Sequence, residues 1–457
     1  MIDFGQCLCY VSGLARIKKN CNTKVKGVSV KLFMVRLIAL IVLYSAYAGC
    51  GADRTRNGQD MGGKTDAVVA IPPAAEEEPA LSGTTYYVAN NGKDSNAGTK
   101  NAPWATLQQA ANQARKGDTI LVKDGVYAGF FTVNSGAEKD PIVFKANGKN
   151  VVIHSKNAKT PDNVNVENTD YTVIDGFIVK NAERGGIRVA ESKGVIIRNN
   201  VVGPCGRWCI FTGFAPEVQI LNNKAFGAKE QHGIYVSNSR VPNDNPVIRG
   251  NETYGNNYSG IQVNGDCESD GDGIISGAVI EGNVIRNNFS KSTSLISMQD
   301  SVVRNNLIYN NGITSGAGGI HLTDESDCGK PSSRNLIVNN TILEPRIAGI
   351  RITDGAADNV IFNNIIFAPN KPRIADEVGE SHVDKDSNLT IRSIPDSLFA
   401  NPAANDYHLM DKSIAIDAGK TVFQKMDAPG IDMEGTKRPQ RKGMDLGAFE
   451  LKPAATP

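Results

Sequence analysis

The chain has 457 residues, of which 40% are hydrophobic and 21% are charged, an ordinary balance for a soluble protein. Its formal net charge of +1 gives no electrostatic basis for binding nucleic acid or an anionic membrane surface. The 46 glycines and the aromatic content of 6% favour short strands joined by tight turns over a helical bundle.

Residues 1–50 indicate an upstream extension followed by an export signal. If translation begins at Met34 and not at Met1, Arg36 precedes the apolar run Leu37–Leu43. Together with the small residues that follow up to Cys50, this run is too short for a membrane span and suits a signal peptide. The stretch Tyr47-Ala48-Gly49-Cys50 resembles the lipobox of bacterial lipoproteins, although Tyr47 stands where leucine is usual. The resemblance implies lipidation of Cys50 and an outer-membrane or extracellular location, with an ordinary secretory signal as the alternative.

Residues 51–82 are polar and rich in alanine, glycine and proline, and they include three consecutive glutamates, Glu76–Glu78. Such a composition cannot bury enough apolar surface to fold, so we predict a disordered linker.

A repeat in the central part of the chain predicts stacked coils. Segments such as Ile197-Arg198-Asn199-Asn200 recur, and their second asparagine returns after 23, 28, 32, 23, 34 and 24 residues. The series is Asn200, Asn223, Asn251, Asn283, Asn306, Asn340 and Asn364. Each asparagine can take a left-handed turn conformation and bond to its equivalent in the next coil. Two strand signals per short interval give a unit that buries its apolar face only by stacking, so we predict a parallel β-helix over residues 83–395.

A second strand keeps the same period, and the residue after each inward isoleucine should point outward. The pairs that mark this strand are Gly186-Ile187, Cys209-Ile210, Gly233-Ile234, Gly260-Ile261, Leu295-Ile296, Gly319-Ile320 and Gly349-Ile350. The sequence before and after the coils differs from the repeat. The amphipathic stretch Leu107–Ala114 predicts a short helix that covers the N-terminal end of the stack. Residues 396–457 lack the repeat, and we predict that they form a small capping module at the C-terminal end.

The coils, together with the entry segment Trp104–Tyr127, resemble the pectate-lyase-like superfamily of right-handed parallel β-helix proteins. The entry is similar to that of polysaccharide lyases of the chondroitinase, alginate-lyase and calcium-dependent pectate-lyase types. Residues 396–450 resemble a short C-terminal module common in bacterial surface β-helix proteins, and Gln231–Asn238 resembles a subfamily of secreted bacterial β-helix proteins. The resemblance implies an all-β, right-handed fold and leaves the activity open, because this fold carries lyases, hydrolases, epimerases and inert adhesins.

The outward residues of the second strand are rich in rings and planar hydrogen-bonding groups, which suit sugars. A lyase must neutralise a uronate carboxylate, remove the adjacent carbon-bound proton and protonate the leaving oxygen. The predicted catalytic residues are His321, Tyr235, His232 and Arg351, and the predicted substrate-binding residues are Arg188, Phe211, Gln262, Asn264, Ser297 and Gln299. The alternative is a plain solvated face, in which His232 closes a turn before a glycine and Tyr235 is only a sugar platform.

Two acidic inserts follow strands of this face. Their seven carboxylates include Asp266, Glu268, Asp270, Asp272, Asp324 and Asp327. Crowded hard oxygen ligands in flexible loops suit Ca²⁺, so these six are the predicted metal ligands, although the spacing is not that of an EF-hand. A solvated acidic loop is the alternative.

Four cysteines follow the export signal, and in an oxidising compartment they can pair in three ways. We favour Cys205 with Cys209, which bracket a turn, and Cys267 with Cys328, which lie in the two acidic inserts.

The sequence supports two main functions. The first is an enzyme, a lyase or a uronate epimerase, that acts on an acidic polysaccharide; the second is a non-catalytic glycan-binding or adhesive lipoprotein. A periplasmic accessory protein for metal-enzyme assembly ranks last, because a soft-metal cluster is missing. We expect a monomer that binds no nucleic acid and reaches the membrane only through its lipid anchor.

Overall fold

The computed structural model describes residues 82–452 except positions 242, 268–269, 315–317, 325–328 and 345. The predicted export signal, Cys50 and all but the last residue of the predicted linker lie outside the described residues. The chain folds as an all-β, right-handed parallel solenoid of about 10 turns, as the sequence predicts.

Three parallel sheets form the walls of the solenoid. Sheet A contains Thr85–Val88, Thr119–Ala128, Ile142–Ser155, Thr172–Asp175, Ile196–Arg198, Gln219–Leu221, Val247–Arg249, Val279–Glu281, Val302–Arg304, Leu336–Val338, Val360–Phe362 and His382–Val383. Sheet B contains Ile178–Val179, Val201–Val202, Lys224–Phe226, Glu252–Tyr254, Val284–Arg286, Leu307–Tyr309, Thr341–Leu343, Ile365–Phe367 and Leu389–Ile391. The long strands Thr119–Ala128 and Ile142–Ser155 run through both sheets and join them.

Sheet C is the third wall and carries the candidate site. Its ten strands are Phe130–Phe131, Val164–Glu167, Gly185–Ala190, Trp208–Gly213, Ile234–Ser237, Ile261–Asn264, Thr293–Ile296, Gly318–Thr323, Ala348–Ile352 and Ile374–Asp376. A small parallel pair, Ile275–Ser276 with Met298–Gln299, lies outside the three walls.

Aliphatic side chains stack inside the solenoid, one per coil. Ile197, Ile220 and Ile248 are direct partners on neighbouring strands of sheet A, and all three are fully buried. Coils follow one another at ~4.8 Å, so the space between them is tight. A Cβ at Gly319 would lie 2.7 Å from the carbonyl oxygen of Gly349, which explains a glycine before the inward isoleucine.

The second asparagine of each repeat belongs to a buried ladder, and the residue before it takes the left-handed turn conformation. Asn200 donates from Nδ2 to Oδ1 of Asn223 at 3.0 Å, and its backbone N–H donates to the same oxygen at 2.9 Å. The pattern continues coil by coil to Asn388. The left-handed conformation belongs to the preceding residue, for example Asn199 with φ 58°. The prediction that one asparagine does both was therefore wrong, because the turn and the ladder need different side-chain directions.

A second ladder lies at another corner of the coils. Asn256 donates to Asn288 at 2.9 Å, and Asn288 donates to Asn311 at 2.9 Å. The ladder ends at Glu344, whose Oε1 accepts from Asn311 Nδ2 at 2.8 Å. The ladder therefore terminates on a buried carboxyl group.

The predicted capping helix is present at Leu107–Gln113. Thr106 caps it by accepting a hydrogen bond from the amide of Gln109, and Leu107, Ala110 and Ala111 are buried against the first coils. An apolar helical face of this kind covers core residues that would otherwise be exposed at the end of a solenoid. Among the residues that the structure describes, none of the helices is long and apolar enough to cross a membrane.

The residues after 396 pack on the side of the last coils. They contain the antiparallel pairs Phe399–Asn401 with Asp406–Leu409 and Val422–Phe423 with Met426–Asp427, and the 3-10 helix Pro402–Ala404. Apolar residues such as Tyr407 and Phe449 join a cluster with Leu307, Leu343 and Ile365 of sheet B. Main-chain contacts reinforce the packing, since the Gly447 amide donates to the Asn363 carbonyl at 2.8 Å. The observed contacts of this segment are thus lateral, whereas the sequence had suggested a cap over the end.

Ion pairs of Arg438 and His408 hold the C-terminal segment together. The fully buried Arg438 guanidinium donates to Glu450 at 3.0 Å. His408 bridges Asp406 at 2.6 Å and Glu434 at 3.1 Å. Burial opposes protonation of His408, but these hydrogen bonds prevail and raise its pKa.

Candidate functional site

The outward side chains of sheet C form a continuous row along the solenoid axis. The strand register places Arg188, Phe211, Tyr235, Gln262, Ser294, His321 and Arg351 as successive partners. Six of these seven were predicted for this face. Ser294, His321 and Gln262 are buried, while Arg188 and Arg351 near the two ends are partly exposed. The side chains in the middle of the row are therefore shielded from solvent, whereas those toward its two ends are more accessible.

Ser297 was predicted for this row and Gln299 for the row two residues further along each strand, and the strand register places neither there. Thr293 and not Ile296 pairs with Ile261, which places Ser294 beside Gln262. Ser297 follows the strand in a left-handed conformation and is fully buried. Gln299 lies in the small parallel pair outside the walls and donates to the Pro331 carbonyl at 3.0 Å.

Aromatic rings cover the part of the row nearer the N-terminus. Phe211 packs edge-on against Tyr235 with centroids 5.4 Å apart, and Trp208 stacks on Phe211 at 4.6 Å. The Tyr235 hydroxyl oxygen accepts from Asn264 Nδ2 at 3.4 Å. Tyr258 is 42% exposed, which is unusual for a large ring. Rings with polar edges of this kind suit contact with sugar faces.

His232 is a buried turn residue at the edge of this aromatic cluster. Its Nδ1 accepts from the Ser259 amide at 3.3 Å, and its ring packs 5.0 Å from Tyr235 and 5.3 Å from Tyr258. Burial, with Lys291 and Arg207 nearby, lowers the pKa of His232 to about 3. These contacts favour the structural role that the sequence left open for His232.

His321 and Arg351 are direct neighbours on adjacent strands, and they form the second cluster of the row. Burial lowers the pKa of His321 to about 4, and the charges of Lys291 and Arg351 act in the same direction. The imidazole is therefore neutral at pH 7. Its Nδ1 is buried and has no hydrogen-bond partner among the described residues. A neutral nitrogen can act as a general base once a ligand reaches it, and here the ligand must displace the side chains that bury Nδ1.

Arg351 is paired but accessible. Its Nε donates to Glu377 at 2.7 Å, and the side chains of the two residues are 36% and 50% exposed. An exposed pair of this kind contributes only about 0–1 kcal/mol, so an incoming carboxylate can replace Glu377 at little cost.

The four predicted catalytic residues do not form one site. Tyr235 and His321 are separated by three steps of the row, through Gln262 and Ser294. At ~4.8 Å per coil the separation is ~14 Å. Tyr235 and His232 belong to the aromatic cluster, and His321 and Arg351 to the second cluster.

Lys291 joins the second cluster and was missed from the sequence. It precedes the strand Thr293–Ile296, its ammonium lies 3.5 Å from Ser294 Oγ and 5.6 Å from the Tyr258 ring centroid, and its charge acts on both His232 and His321. Its position just before an outward row residue, in a coil whose Gly-Ile signal is absent, was the only signal available.

The acidic inserts give no support to the predicted calcium site. Among the described residues, no group of three or more His, Cys, Asp or Glu side chains is placed to hold a metal ion. The Lys330 ammonium donates to the Asp272 carbonyl and so places a cation at the first insert. Burial raises the pKa of Asp324. Asp266 and Asp270 are described, whereas Glu268 and Asp327 lie outside the described residues, so calcium binding stays a prediction.

Cys205 and Cys209 are free thiols, so the predicted bond between them was wrong. Both are buried in the core of the solenoid, and Cys209 Sγ donates to the Phe226 carbonyl at 3.2 Å. Their side chains therefore fill interior positions instead of closing a turn. Cys267 is disulfide-bonded. Cys328 lies outside the described residues, and its pairing with Cys267 stays a prediction.

The three walls, together with the row of rings, amides and cations on sheet C, define a right-handed β-helix protein of the pectate-lyase-like class. The sequence profile of the family "Pel9A-like, right handed beta helix region" matches residues 86–319, more than half of the chain. The chain belongs to this family. A second profile, "Periplasmic copper-binding protein (NosD)", matches residues 263–383.

Individual proteins match over shorter stretches or by fold alone. The chain is 40% identical over 74 residues to the uncharacterized protein YwoF of Bacillus subtilis, and 28% identical over 120 residues to pectate lyase PEL9 of Emericella nidulans. These segments span 16% and 25% of this chain, and 16% and 27% of the two relatives. The crystal structure of pectate lyase Pel9A is similar with a TM-score of 0.58 and 16% identity, over 80% of this chain and 96% of that structure.

Proposed function

We propose that this protein binds an acidic polysaccharide along sheet C and removes a carbon-bound proton from one of its uronate residues. The observation that carries the proposal is His321, a buried neutral imidazole whose Nδ1 lacks a partner among the described residues and which neighbours Arg351. The similarity to pectate lyases supports an acidic glycan as the ligand.

The proposed chemistry begins with charge neutralisation. Arg351 exchanges Glu377 for the carboxylate of the sugar, and a guanidinium can bind a carboxylate through two parallel hydrogen bonds. Neutralising that carboxylate makes the adjacent C–H more acidic. His321 Nδ1 then accepts the proton, a step for which a well-placed base contributes about 10²–10⁴-fold.

The fate of the carbanion decides between the two activities. In a lyase, the leaving oxygen must receive a proton as its bond to carbon breaks. Lys291, whose charge already acts on His321, is the proposed donor. In an epimerase, the same carbon is reprotonated from the opposite face and no bond in the chain breaks. No step of either route relies on a metal ion.

The test uses the purified chain and a panel of polyuronates in water and in deuterated water. A lyase produces unsaturated ends that absorb in the ultraviolet, and an epimerase incorporates deuterium at the uronate carbon. We expect the His321→Gln variant to lose about 100-fold or more of either activity. His382→Gln is the matched control, because His382 is an exposed histidine on sheet A. If His321→Gln retains full activity, the proposed base is wrong.

A non-catalytic glycan-binding protein is the second candidate. It is favoured by the aromatic cluster, which offers a sugar platform ~14 Å from His321 and needs no base. Retention on a polyuronate column without product formation or deuterium uptake would support this alternative. Absence of both binding and activity with every glycan would contradict both candidates.

We also propose that the protein is exported and anchored through Cys50 in the outer membrane. The proposal rests on the sequence Tyr47–Cys50 and on the preceding apolar run. Metabolic labelling with a fatty-acid analogue should mark the wild-type chain and not Cys50→Ser. Equal labelling of both, or of neither, would contradict the anchor.

A further inference from the structure

Three oxygen atoms on one side of His321 form a short hydrogen-bonded chain. His321 Nε2 lies 3.1 Å from Thr353 Oγ1. Thr353 Oγ1 lies 2.8 Å from Asp354 Oδ2, and Thr323 Oγ1 lies 2.6 Å from the same carboxylate oxygen. His321, Thr323 and Thr353 are all nearly inaccessible to solvent, so water does not compete with these contacts.

Counting protons fixes the direction of this chain. The hydroxyls of Thr323 and Thr353 hold the pKa of Asp354 below its usual value, so Asp354 is a carboxylate that can only accept. Thr353 Oγ1 also lies 3.1 Å from Thr323 Oγ1, so two hydroxyl protons serve three oxygen contacts, and the two shortest contacts, both to Asp354, take them. If Thr353 instead donated to His321, two oxygen atoms 2.8 Å apart would face each other without a proton.

Because the only proton of Thr353 is used in this way, Thr353 Oγ1 can only accept a hydrogen bond from His321. Nε2 of the imidazole must carry hydrogen, and Nδ1 must be bare. Nδ1 is also the nitrogen that is buried without a partner among the described residues. The proton count thus assigns the tautomer, and it leaves Nδ1 as the bare, unpartnered nitrogen.

We infer that Asp354, acting through Thr353, is a positioning residue that fixes His321 in the Nε2–H tautomer and so presents Nδ1 as the proton acceptor. The catalytic part of this inference rests on the proposed function, whereas the tautomer itself does not. In the proton transfer, the substrate C–H bond breaks, its electron pair stays on carbon, and the proton binds Nδ1. The resulting imidazolium keeps its Nε2–H bond to Thr353, and the nearby Asp354 carboxylate stabilises the new positive charge.

Other charged groups also act on the imidazole of His321, and their effect differs from that of the hydrogen-bonded relay Asp354–Thr353–His321. Lys291 and Arg351 disfavour the imidazolium, while Asp354 and Glu377 favour it. Only Asp354 is connected to Nε2 by hydrogen bonds, through Thr353. Glu377 is bound to Arg351, so its influence is carried by charge and not by the position of a proton.

The decisive measurement is the ¹⁵N spectrum of the imidazoles in the labelled full chain, with His321→Gln used to assign the signal. We expect wild-type His321 near pH 7 to show a protonated Nε2 and a bare Nδ1. In Asp354→Gly, Thr353 loses its carboxylate acceptor and can donate either to Thr323 Oγ1 or to His321, so the two nitrogen shifts should move toward each other as the tautomers mix. Glycine is chosen because Asp354 has a φ of 53°, which glycine adopts without strain.

Thr353 provides a second and more conservative pair of variants. Thr353→Ser keeps the hydroxyl and should retain the wild-type spectrum, whereas Thr353→Val removes it and should change the spectrum. If a polyuronate is turned over, Asp354→Gly and Thr353→Val should lower kcat by roughly 10-fold or more with little change in KM, and Thr353→Ser should not.

The outcomes separate this inference from the proposed function. A wild-type Nδ1–H tautomer, or an unchanged spectrum in both Asp354→Gly and Thr353→Val, would overturn the relay even if His321 is essential for turnover. The expected spectra without activity on any polyuronate would support the relay and overturn the enzyme proposal.

Discussion

Glu344 offers a substitution that should make the protein more stable. Its carboxyl group is fully buried at the end of the second ladder and accepts from Ser292 Oγ at 2.7 Å, Asn311 Nδ2 at 2.8 Å and the Asn311 amide at 2.9 Å. Burial raises the pKa of Glu344 to about 7, and these three hydrogen bonds only partly offset the effect. Glu344→Gln keeps the size and one acceptor oxygen and removes the buried charge, while its Nε2 replaces the oxygen that accepts from the Asn311 amide, a loss that does not depend on pH.

The sign and size of the effect follow from proton linkage. The unfolded glutamate loses its proton near pH 4.5, whereas the folded one keeps it to about pH 7. The folded state therefore binds more protons in this window, and stability falls as the pH rises through it. A pKa raised from 4.5 to about 7 corresponds to a loss of about 3 kcal/mol in the free energy of unfolding, and the loss is complete above pH 7. We expect Glu344→Gln to gain this amount over wild type between pH 4 and pH 8.

Urea unfolding of both proteins across this pH range measures the difference directly. Glu230→Gln is the control, because Glu230 is an exposed carboxylate on another coil and should show no comparable gain. A stability difference between Glu344→Gln and wild type that does not change from pH 4 to pH 8 would refute the reasoning.

Three further predictions concern the ladder and the C-terminal segment. Asn256→Ala leaves a buried amide without its acceptor and should cost about 1–3 kcal/mol in urea unfolding, while the exposed neighbour Asn257→Ala should cost less than about 0.5 kcal/mol. Arg438→Met strands a buried carboxylate and should cost about 3–5 kcal/mol, seen as rapid proteolysis of the segment after residue 396; Arg441→Met, in an exposed pair, is the control. Because the pKa of His408 is raised, its ion pairs stabilise the chain below pH 6.5, and the difference between wild type and His408→Gln should vanish as the pH rises through the folded pKa. Equal losses of stability in Asn256→Ala and Asn257→Ala, or in Arg438→Met and Arg441→Met, would contradict the first two predictions. A stability difference between wild type and His408→Gln that grows with pH would contradict the third.

The asparagine repeat predicted the fold because it meets a strict physical need. Each coil leaves a buried backbone N–H at the corner, and a side-chain amide of the next coil satisfies it, as Asn223 does for Asn200. A short amide at a constant position both donates and accepts between coils, so the spacing of the asparagines reveals the coils. Glu344 was missed for the same physical reason. Glu344 ends the second ladder with a different residue type, and no repeat marks it.

The candidate site was predictable where the strand signal is intact and failed where it is not. The pair Gly319-Ile320 fixes the register of its strand, and His321 was placed correctly beside Arg351. In the strand Thr293–Ile296, threonine occupies the inward position that isoleucine usually takes. Matching Ile296 to the repeat therefore shifted the predicted row by three residues, from Ser294 to Ser297.

The separation of the two clusters has a consequence for how a polymer would be used. The rings of Tyr235 and Phe211 cannot take part in proton transfer at His321, because three or more coil steps, at least ~14 Å, lie between them and His321. They can only hold a different part of the same chain. Binding energy from such a remote contact helps the reaction only if it keeps the reacting sugar in place over His321. A polymer that spans both clusters can meet that condition, and a single uronate cannot, so the length of the row favours long glycans over small uronates.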